Sequence, residues 1–507
     1  MTANERIKQL ASKKILILDG AMGTMIQAHK TPSGEPLRGC NDNFCLTMPE
    51  LIYGIHEAYL RAGADIIETC SFNANSVSLA DHGLADSAYK ISLAAASLAR
   101  KAADGFSTQD KPRFVAGSIG PTSKNLSFSQ NMDDPGKRDI SWDELEAAYY
   151  DNGRGLLDGG ADLIIIETVF DTLNAKAAIF AIRRLAQERG IDVPLMVSAT
   201  VSDRGRLLSG QTVQAFCVSV LHADPLAVGL NCSFGAEKLK PHIASVSSMV
   251  PCLVSAHPNA GFPNKTGNYD EGPESMADHI EEYLREGLVN IVGGCCGSTP
   301  AHIAAIAARA EKYAPRPIPE LPKKIFLSGL EPHEISRKQI FSHIEEAANA
   351  ADKSKFLPLI NKGNYEEAAD IVRDSLDEGA ALVDVCADDT RPAAGSEISG
   401  FLNHALLYSD IARLPVMLSS SRWDVIEAGL KCIQGKALVN SINLKEGEAE
   451  FLRRSGLARA YGAAIIVTLI DEEGQAVTEE RKTAVKNRAE KLLTNSGFPP
   501  EHVIFAQ

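Results

Sequence analysis

Short apolar runs rich in β-branched residues recur along this chain, each followed by a longer stretch of helical periodicity. The runs are Ile15–Gly20, Ala64–Thr69, Arg113–Pro121, Ala161–Thr168, Pro194–Thr200, Leu226–Cys232, Cys252–Ala260 and Val289–Cys296. Helical segments such as Glu144–Gly159 and Leu173–Arg189 lie between them. Parallel strands need long crossovers, so this alternation dictates an α/β fold with helices covering a parallel sheet. Eight units within roughly three hundred residues predict a closed (β/α)8 barrel of TIM type, with a doubly wound sheet as the alternative. Nearly every run ends in a polar or glycine-rich cluster, and the C-terminal strand ends are where such barrels carry chemistry.

After a helix predicted over Pro300–Tyr313 comes Ala314-Pro-Arg-Pro-Ile-Pro-Glu-Leu-Pro322, which can be neither helix nor central strand. It marks a domain boundary: 1–313 as the first barrel, 314–330 as a proline-rich linker, 331–507 as a second unit. At 507 residues the chain is long enough for more than one core. A second round of strands follows at Lys338–Ile344, Ala381–Asp389, Pro415–Ser421, Ala437–Asn443, Ala463–Asp471 and His502–Gln507. Six strands predict an incomplete second (β/α) barrel, closed by a partner or by chain beyond this sequence.

No apolar run reaches the ~18 residues of a membrane span, and the polar N-terminus lacks a signal peptide's apolar region, so a cytoplasmic protein is expected. A net charge of −14, spread along the chain, disfavours nucleic acid as a partner. Ten cysteines in a chain of this length do not make a disulfide framework. Cys217, Cys252 and Cys432 read as small buried hydrophobes. Cys232 closes the sixth strand while Cys295 and Cys296 close the eighth, which brings three thiols to one rim of a barrel. Residues alone leave two readings open: three packing thiols, or three ligands of a tetrahedral zinc with the fourth position free for substrate. His257, at the end of strand seven, reads as a hydrogen-bonded structural histidine, with metal ligation as the alternative. Asp19 and Glu167 are strand-end carboxylates able to bind an amino acid's ammonium, with amides in Gly20–Thr24 facing its carboxylate. Alternatively, Asp19 caps the following helix and Glu167 pairs with an arginine.

The motifs DGAMGT at Asp19–Thr24, ETVFDTLNAK at Glu167–Lys176, GLNC at Gly229–Cys232 and GGCCGSTPAHI at Gly293–Ile303 resemble the homocysteine S-methyltransferase family. SGLEP at Ser328–Pro332, RWDVIEAGLKCIQGK at Arg422–Lys436, NSINLKEG at Asn440–Gly447 and YGAAIIV at Tyr461–Val467 extend the resemblance to the N-terminal half of cobalamin-dependent methionine synthases. The resemblance implies zinc on Cys232, Cys295 and Cys296, and homocysteine bound by Asp19, Gly20, Ala21 and Glu167. It also implies Asn231 as a transient oxygen ligand. Methylcobalamin would be the methyl donor, held by a corrinoid-binding protein or module that has no counterpart in this sequence. Cys70 stands where asparagine is expected.

The second barrel resembles a methyltetrahydrofolate-binding barrel that has lost polar groups. Cys386, Ser419 and Ala506 stand where asparagine, aspartate and aspartate are expected, and Glu346–Asn349 keeps two polar groups of four. Asn349, Asp388 and Asn440 are the residual folate-site candidates, and folate-dependent methyl transfer is not expected. Two other functions compete with the homocysteine half-reaction of methionine synthesis. One is a cobalamin-free methyltransferase using S-methylmethionine or a betaine; the other is a catalytically silent zinc-binding scaffold.

Overall fold

The computed structural model describes residues 1–30, 37, 39–129, 131, 133–264, 269–335, 353–374, 376, 381–386 and 394–506. They form two compact units. The first comprises Met1–Lys124, Trp142–Leu208 and Asp224–Leu321, and the second Asn125–Ser141, Ser209–Ala223 and Pro322–Gln507. The division after Leu321 falls in the proline-rich stretch, whose early part is tied to the first unit by the buried Arg316. Its guanidinium donates to the carbonyls of Ser247, Val250 and Cys252.

The first unit is an eight-stranded parallel sheet in the order β1-β8-β7-β6-β5-β4-β3-β2. The strands are β1 (Leu16–Ile17), β2 (Ile66–Glu68), β3 (Phe114–Ile119), β4 (Leu163–Val169), β5 (Leu195–Ala199), β6 (Ala227–Gly235), β7 (Leu253–Asn259) and β8 (Ile291–Val292). A parallel bridge between Leu18 and Ile66 joins β1 to β2, bringing the sheet nearly to closure as a barrel. The doubly wound alternative is thereby set aside.

Side-chain alternation sorts the barrel interior into levels. One apolar cluster takes residues from all eight strands, among them Leu16, Ile66, Ala116, Ile165, Met196, Ala227, Leu253 and Ile291. Ile7 and Ala11 of the N-terminal helix Ala3–Ala11 join it, so this helix plugs the barrel floor. A reciprocal capping box between Thr2 and Glu5 starts that helix. Two or four residues further along β2 to β7, the same parity gives Glu68, Ser118, Glu167, Ser198, Asn231 and His257. The interior is therefore apolar below and polar at the mouth.

A recurring strand motif carries both ends of this gradient. Ala64-Asp65-Ile-Ile-Glu68-Thr69 and Ala161-Asp162-Leu-Ile-Ile-Ile-Glu167-Thr168 each begin with an aspartate at the N-terminal end. Asp65 accepts from Lys14 Nζ and Arg113 Nη1, both at 2.7 Å, and from the Ile17 amide at 3.1 Å. Asp162 accepts from Arg100 Nη1 at 2.7 Å and the Val115 amide at 2.8 Å. Each aspartate thus fastens its strand to a neighbour, while the glutamate of the same motif arrives at the mouth.

In the second unit, a hairpin of β9 (Phe326–Ser328) and β10 (Pro332–Glu334) precedes a parallel sheet of β11 (Val383–Cys386), β12 (Val416–Ser419), β13 (Leu438–Ile442), β14 (Ala464–Thr468) and β17 (Val503–Ala506). A small antiparallel pair, β15 (Ile470–Asp471) and β16 (Gly474–Gln475), lies between the last two. Sequential neighbours pair throughout, the strand order of a partial barrel. Leu327 and Ile335 pack with Leu382, Met417, Leu438, Ile466 and Ile504 in one core. The strand expected at Lys338–Ile344 lies outside the described residues. Among the described residues no helix is long and apolar enough to cross a membrane.

Candidate metal and substrate site

The sixth strand reaches the mouth through a backbone irregularity. Cys232 and Ser233 both have φ of +58°, and the β6–β7 register shifts between Cys232 and Gly235. The left-handed region costs a non-glycine residue of order 1 kcal/mol, and here it redirects the Cys232 side chain where regular pleating would have alternated it. Ser233 is held in place by the Val201 amide, which donates to its Oγ at 2.8 Å.

Cys295 and Cys296 come from the turn after β8. Adjacent residues in a strand point to opposite faces, but these two follow Gly293-Gly294 and have left the strand. Gly293 lies so close to the end of β1 that an added Cβ would meet Leu18 Cβ at 2.8 Å and the Asp19 carbonyl at 2.9 Å. The Cys295 amide donates to the Pro258 carbonyl at 2.8 Å, and Ser298 closes a turn back onto Cys295. Gly297, at φ +83°, continues the reversal, and its amide donates to Thr24 Oγ1 at 3.0 Å. The sulfurs of Cys232, Cys295 and Cys296 consequently lie within 4.8 Å of one another, with Cys232 and Cys296 3.8 Å apart. Among the described residues this is the one group of metal-binding donors, and neither His257 nor Cys70 belongs to it.

Three thiols so close share their charge unequally. Hydrogen bonds from Cys232 and Cys295, with the Tyr269 hydroxyl adding another, pull Cys296 down to about 3. Cys295 moves far up because it hydrogen-bonds the other two sulfurs and is buried. For Cys232 a hydrogen bond with Cys295 lowers the thiol, but the contact with Cys296 and burial outweigh it and leave it at about 11. The thiols thus favour the charged form on Cys296 over the other two, and a metal bound by all three would have to displace their remaining protons. Three converging, half-buried sulfurs match the donor set of zinc with one position left over.

Carboxylates line the same mouth. Asp19 is buried and accepts the Glu68 amide at 3.1 Å through Oδ2, while its Oδ1 has no hydrogen-bond partner. Burial, then the charge of Glu167, holds Asp19 well above the usual carboxylate range. It therefore does not cap the following helix, whose N-terminal residue Ala21 has no side-chain cap. Glu167 accepts from Ser118 Oγ at 2.5 Å and from Asn231 Nδ2 at 3.4 Å, and pairs with no arginine among the described residues. Burial raises it to about 7 despite the Ser118 hydrogen bond, and Cys296 pushes the same way.

Asn231 is fully buried and fully engaged. Its Oδ1 accepts the Thr168 amide at 2.9 Å and Ser198 Oγ at 2.7 Å, and its Nδ2 donates to Thr168 Oγ1 at 2.7 Å. With both lone-pair directions of its oxygen used, the side chain positions Glu167 and the bend at Thr168, where φ is +54°. Ala21 is also occupied: its amide donates to Ser298 Oγ and its carbonyl accepts from Tyr59. Gly20 packs so tightly that a Cβ would come within 2.7 Å of Ser298 Oγ. Cys70 is buried, donating to the Asn41 carbonyl at 3.5 Å.

Glu68 is the mouth residue that motif reading passes over. Its signal lies in the recurrence of the acidic strand end, since Ala64–Thr69 and Ala161–Thr168 share one pattern. In the second unit, Cys386, Ser419 and Asn440 stand in register at the strand ends, and Thr468 pairs with Ala506. Ser419 Oγ donates to Asp384 at 2.7 Å and accepts from Asn440 Nδ2 at 3.1 Å. Asn349 and Asp388 lie outside the described residues.

Residues 16–310 match the family described as homocysteine S-methyltransferase. Residues 346–506 match that described as pterin binding enzyme. Among solved structures, the chain is similar to the metallated form of the homocysteine methyltransferase MmuM from Escherichia coli. The identity is 27% over 60% of this chain and 98% of that one, with a TM-score of 0.48. The oxidised form of the same protein gives 26% identity, 60% and 99% coverage, and a TM-score of 0.48.

Proposed function

The chain belongs to the homocysteine S-methyltransferase family, and from that premise we propose that it methylates homocysteine by a zinc-dependent reaction with methylcobalamin as the donor. The observation that carries the reading is the convergence of Cys232, Cys295 and Cys296 beside the buried carboxylates of Asp19 and Glu167. The three cysteines would hold zinc, and a zinc ion at such a site lowers the pKa of a coordinated thiol so that it is a nucleophilic thiolate at neutral pH.

The chain's own residues supply the rest. Asp19 and Glu167 bind the substrate's ammonium, and Asn231 with Ser118 keeps Glu167 aimed at it. Tyr59 and Ser298 hold the Gly20–Ala21 turn against the end of β8, which sets the distance between amino-acid subsite and sulfurs. In the overall reaction the homocysteine sulfur gains a methyl group, the donor–methyl bond breaks heterolytically, and the thiol proton leaves to solvent.

On this reading the first unit, for which 1–313 was expected, is the methyltransferase barrel, and the second, which takes in β9 as well as the expected 331–507, is a pterin-binding-like barrel without folate-dependent transfer. The donor is presented by a corrinoid-binding protein or module. The test is methionine formation from homocysteine by the zinc-loaded chain. Turnover with methylcobalamin supports the proposal; turnover with S-methylmethionine or a betaine but none with methylcobalamin replaces the donor.

A further inference from the structure

Three carboxyl groups face the barrel mouth, Asp19 and Glu167 buried and Glu68 half-buried, and the contacts assigned to substrate so far use two of them. The third, Glu68, ends β2 on the inward side, two residues beyond Ile66 of the core. Its backbone amide donates to Asp19 Oδ2 at 3.1 Å, so these two strand ends are stitched directly together. Asp19 Oδ1 and Glu68 Oε1 are both buried with no hydrogen-bond partner among the described residues. Burying an ionisable oxygen without a donor is costly, and such groups are ordinarily met by a partner or by a ligand. Among the described residues nothing supplies that donor: the influences on Glu68 are burial and the charges of Glu167 and Asp19, with no cation among them. Glu167, by contrast, already has Ser118 and Asn231.

We propose that Glu68 is a third ligand of the substrate's α-ammonium group and that, with Asp19 and Glu167, it restricts the site to thiols carrying a free α-amine. The proposal rests on reading this mouth as a homocysteine pocket. An ammonium has three N–H donors and no acceptor, so it can satisfy one oxygen from each of three carboxylates on three different strand ends. A cation is also what lets three neighbouring carboxyl groups ionise together, since in its absence Glu167 raises both Asp19 and Glu68, and Asp19 raises Glu68 further. A thiol of the same length without the amine leaves Asp19 Oδ1 and Glu68 Oε1 without a donor and binds more weakly. This is selection by an unsatisfied buried group, stronger than selection by fit alone.

The experiment is calorimetric titration of the full-length, zinc-loaded protein with L-homocysteine and with 4-mercaptobutanoate, which keeps thiol and carboxylate but lacks the amine. Glu68→Gln is expected to weaken homocysteine binding about 10-fold or more while moving 4-mercaptobutanoate by less than about twofold. Glu68→Asp, which keeps the charge but shortens the reach, gives a smaller loss on homocysteine alone and serves if the glutamine variant does not fold. Homocysteine affinity within about twofold of wild type in either folded variant overturns the proposal, as does equal weakening of both thiols, which marks a structural role. Absence of homocysteine binding by the wild-type protein instead overturns the functional reading itself, and this inference with it.

Discussion

Asn231 Oδ1 accepts the Thr168 amide at 2.9 Å, bridging the mouth ends of β6 and β4 through a bend that regular pleating does not allow. Asn231 and Cys232 are sequence neighbours, yet one secures the amino-acid subsite and the other contributes to the sulfur cluster. Strand β6 therefore couples the two halves of the site.

Replacing Asn231 tests that coupling. Asn231→Ala leaves the buried Thr168 amide unpaired and releases Glu167. The expected cost is about 2–4 kcal/mol in denaturant unfolding, together with a raised KM for homocysteine. A loss below about 0.5 kcal/mol would show that Asn231 does not hold the bend.

At the opposite end of the barrel, Asp65→Ala strands Arg113, which is only 12% exposed, and removes the acceptor of the Ile17 amide. Unfolding experiments should show a loss of about 3–5 kcal/mol. The kcat of the folded fraction should remain unchanged, because the N-terminal end of such a barrel carries stability and the C-terminal end chemistry. A large kcat effect would contradict this separation.

Glu167 makes the metal-free protein sensitive to pH. Its folded value of about 7 lies above the 4.5 of a free glutamate, so the folded chain keeps a proton that the unfolded chain has released. Glu167's contribution to stability is therefore lost as pH rises from about 4.5 to about 7, by roughly 1–3 kcal/mol. Asp19 and Glu68, also raised by burial, act in the same direction. Denaturant unfolding at pH 5.5 and 7.5 should show a smaller drop for Glu167→Gln than for wild type. An unchanged drop would rule out the raised glutamate.

Much of this was legible in the sequence because it is written in local periodicity. Eight apolar runs ending in polar clusters give the barrel strands, and paired cysteines within a pleated strand could not turn both sulfurs to one face, whereas two preceding glycines let the chain leave the strand. Glu68 escaped because one acidic strand end is weak evidence; only its recurrence in Ala161–Thr168, seen with side-chain parity, marks it. The occupation of Asn231's oxygen depends on Ser198 and Thr168, contacts between strands that no local pattern encodes. The same holds for Asn125–Ser141 and Ser209–Ala223, which lie early in the chain yet belong to the second unit.

The second unit provides its own test. Asp384, Ser419 and Asn440 satisfy one another at the strand ends, so their polar atoms are partly spent before any pterin arrives. Calorimetry with methyltetrahydrofolate should detect no binding tighter than about 100 μM. Micromolar affinity would show that the remaining polar groups suffice.

Metal content tests the central claim most directly. The wild-type chain, purified with zinc and dialysed, should retain about one zinc per chain, and Cys296→Ala should retain less than about a tenth of that. Methionine formation should fall in proportion. Full zinc occupancy in Cys296→Ala, or undiminished methyl transfer by the zinc-free protein, would contradict the account.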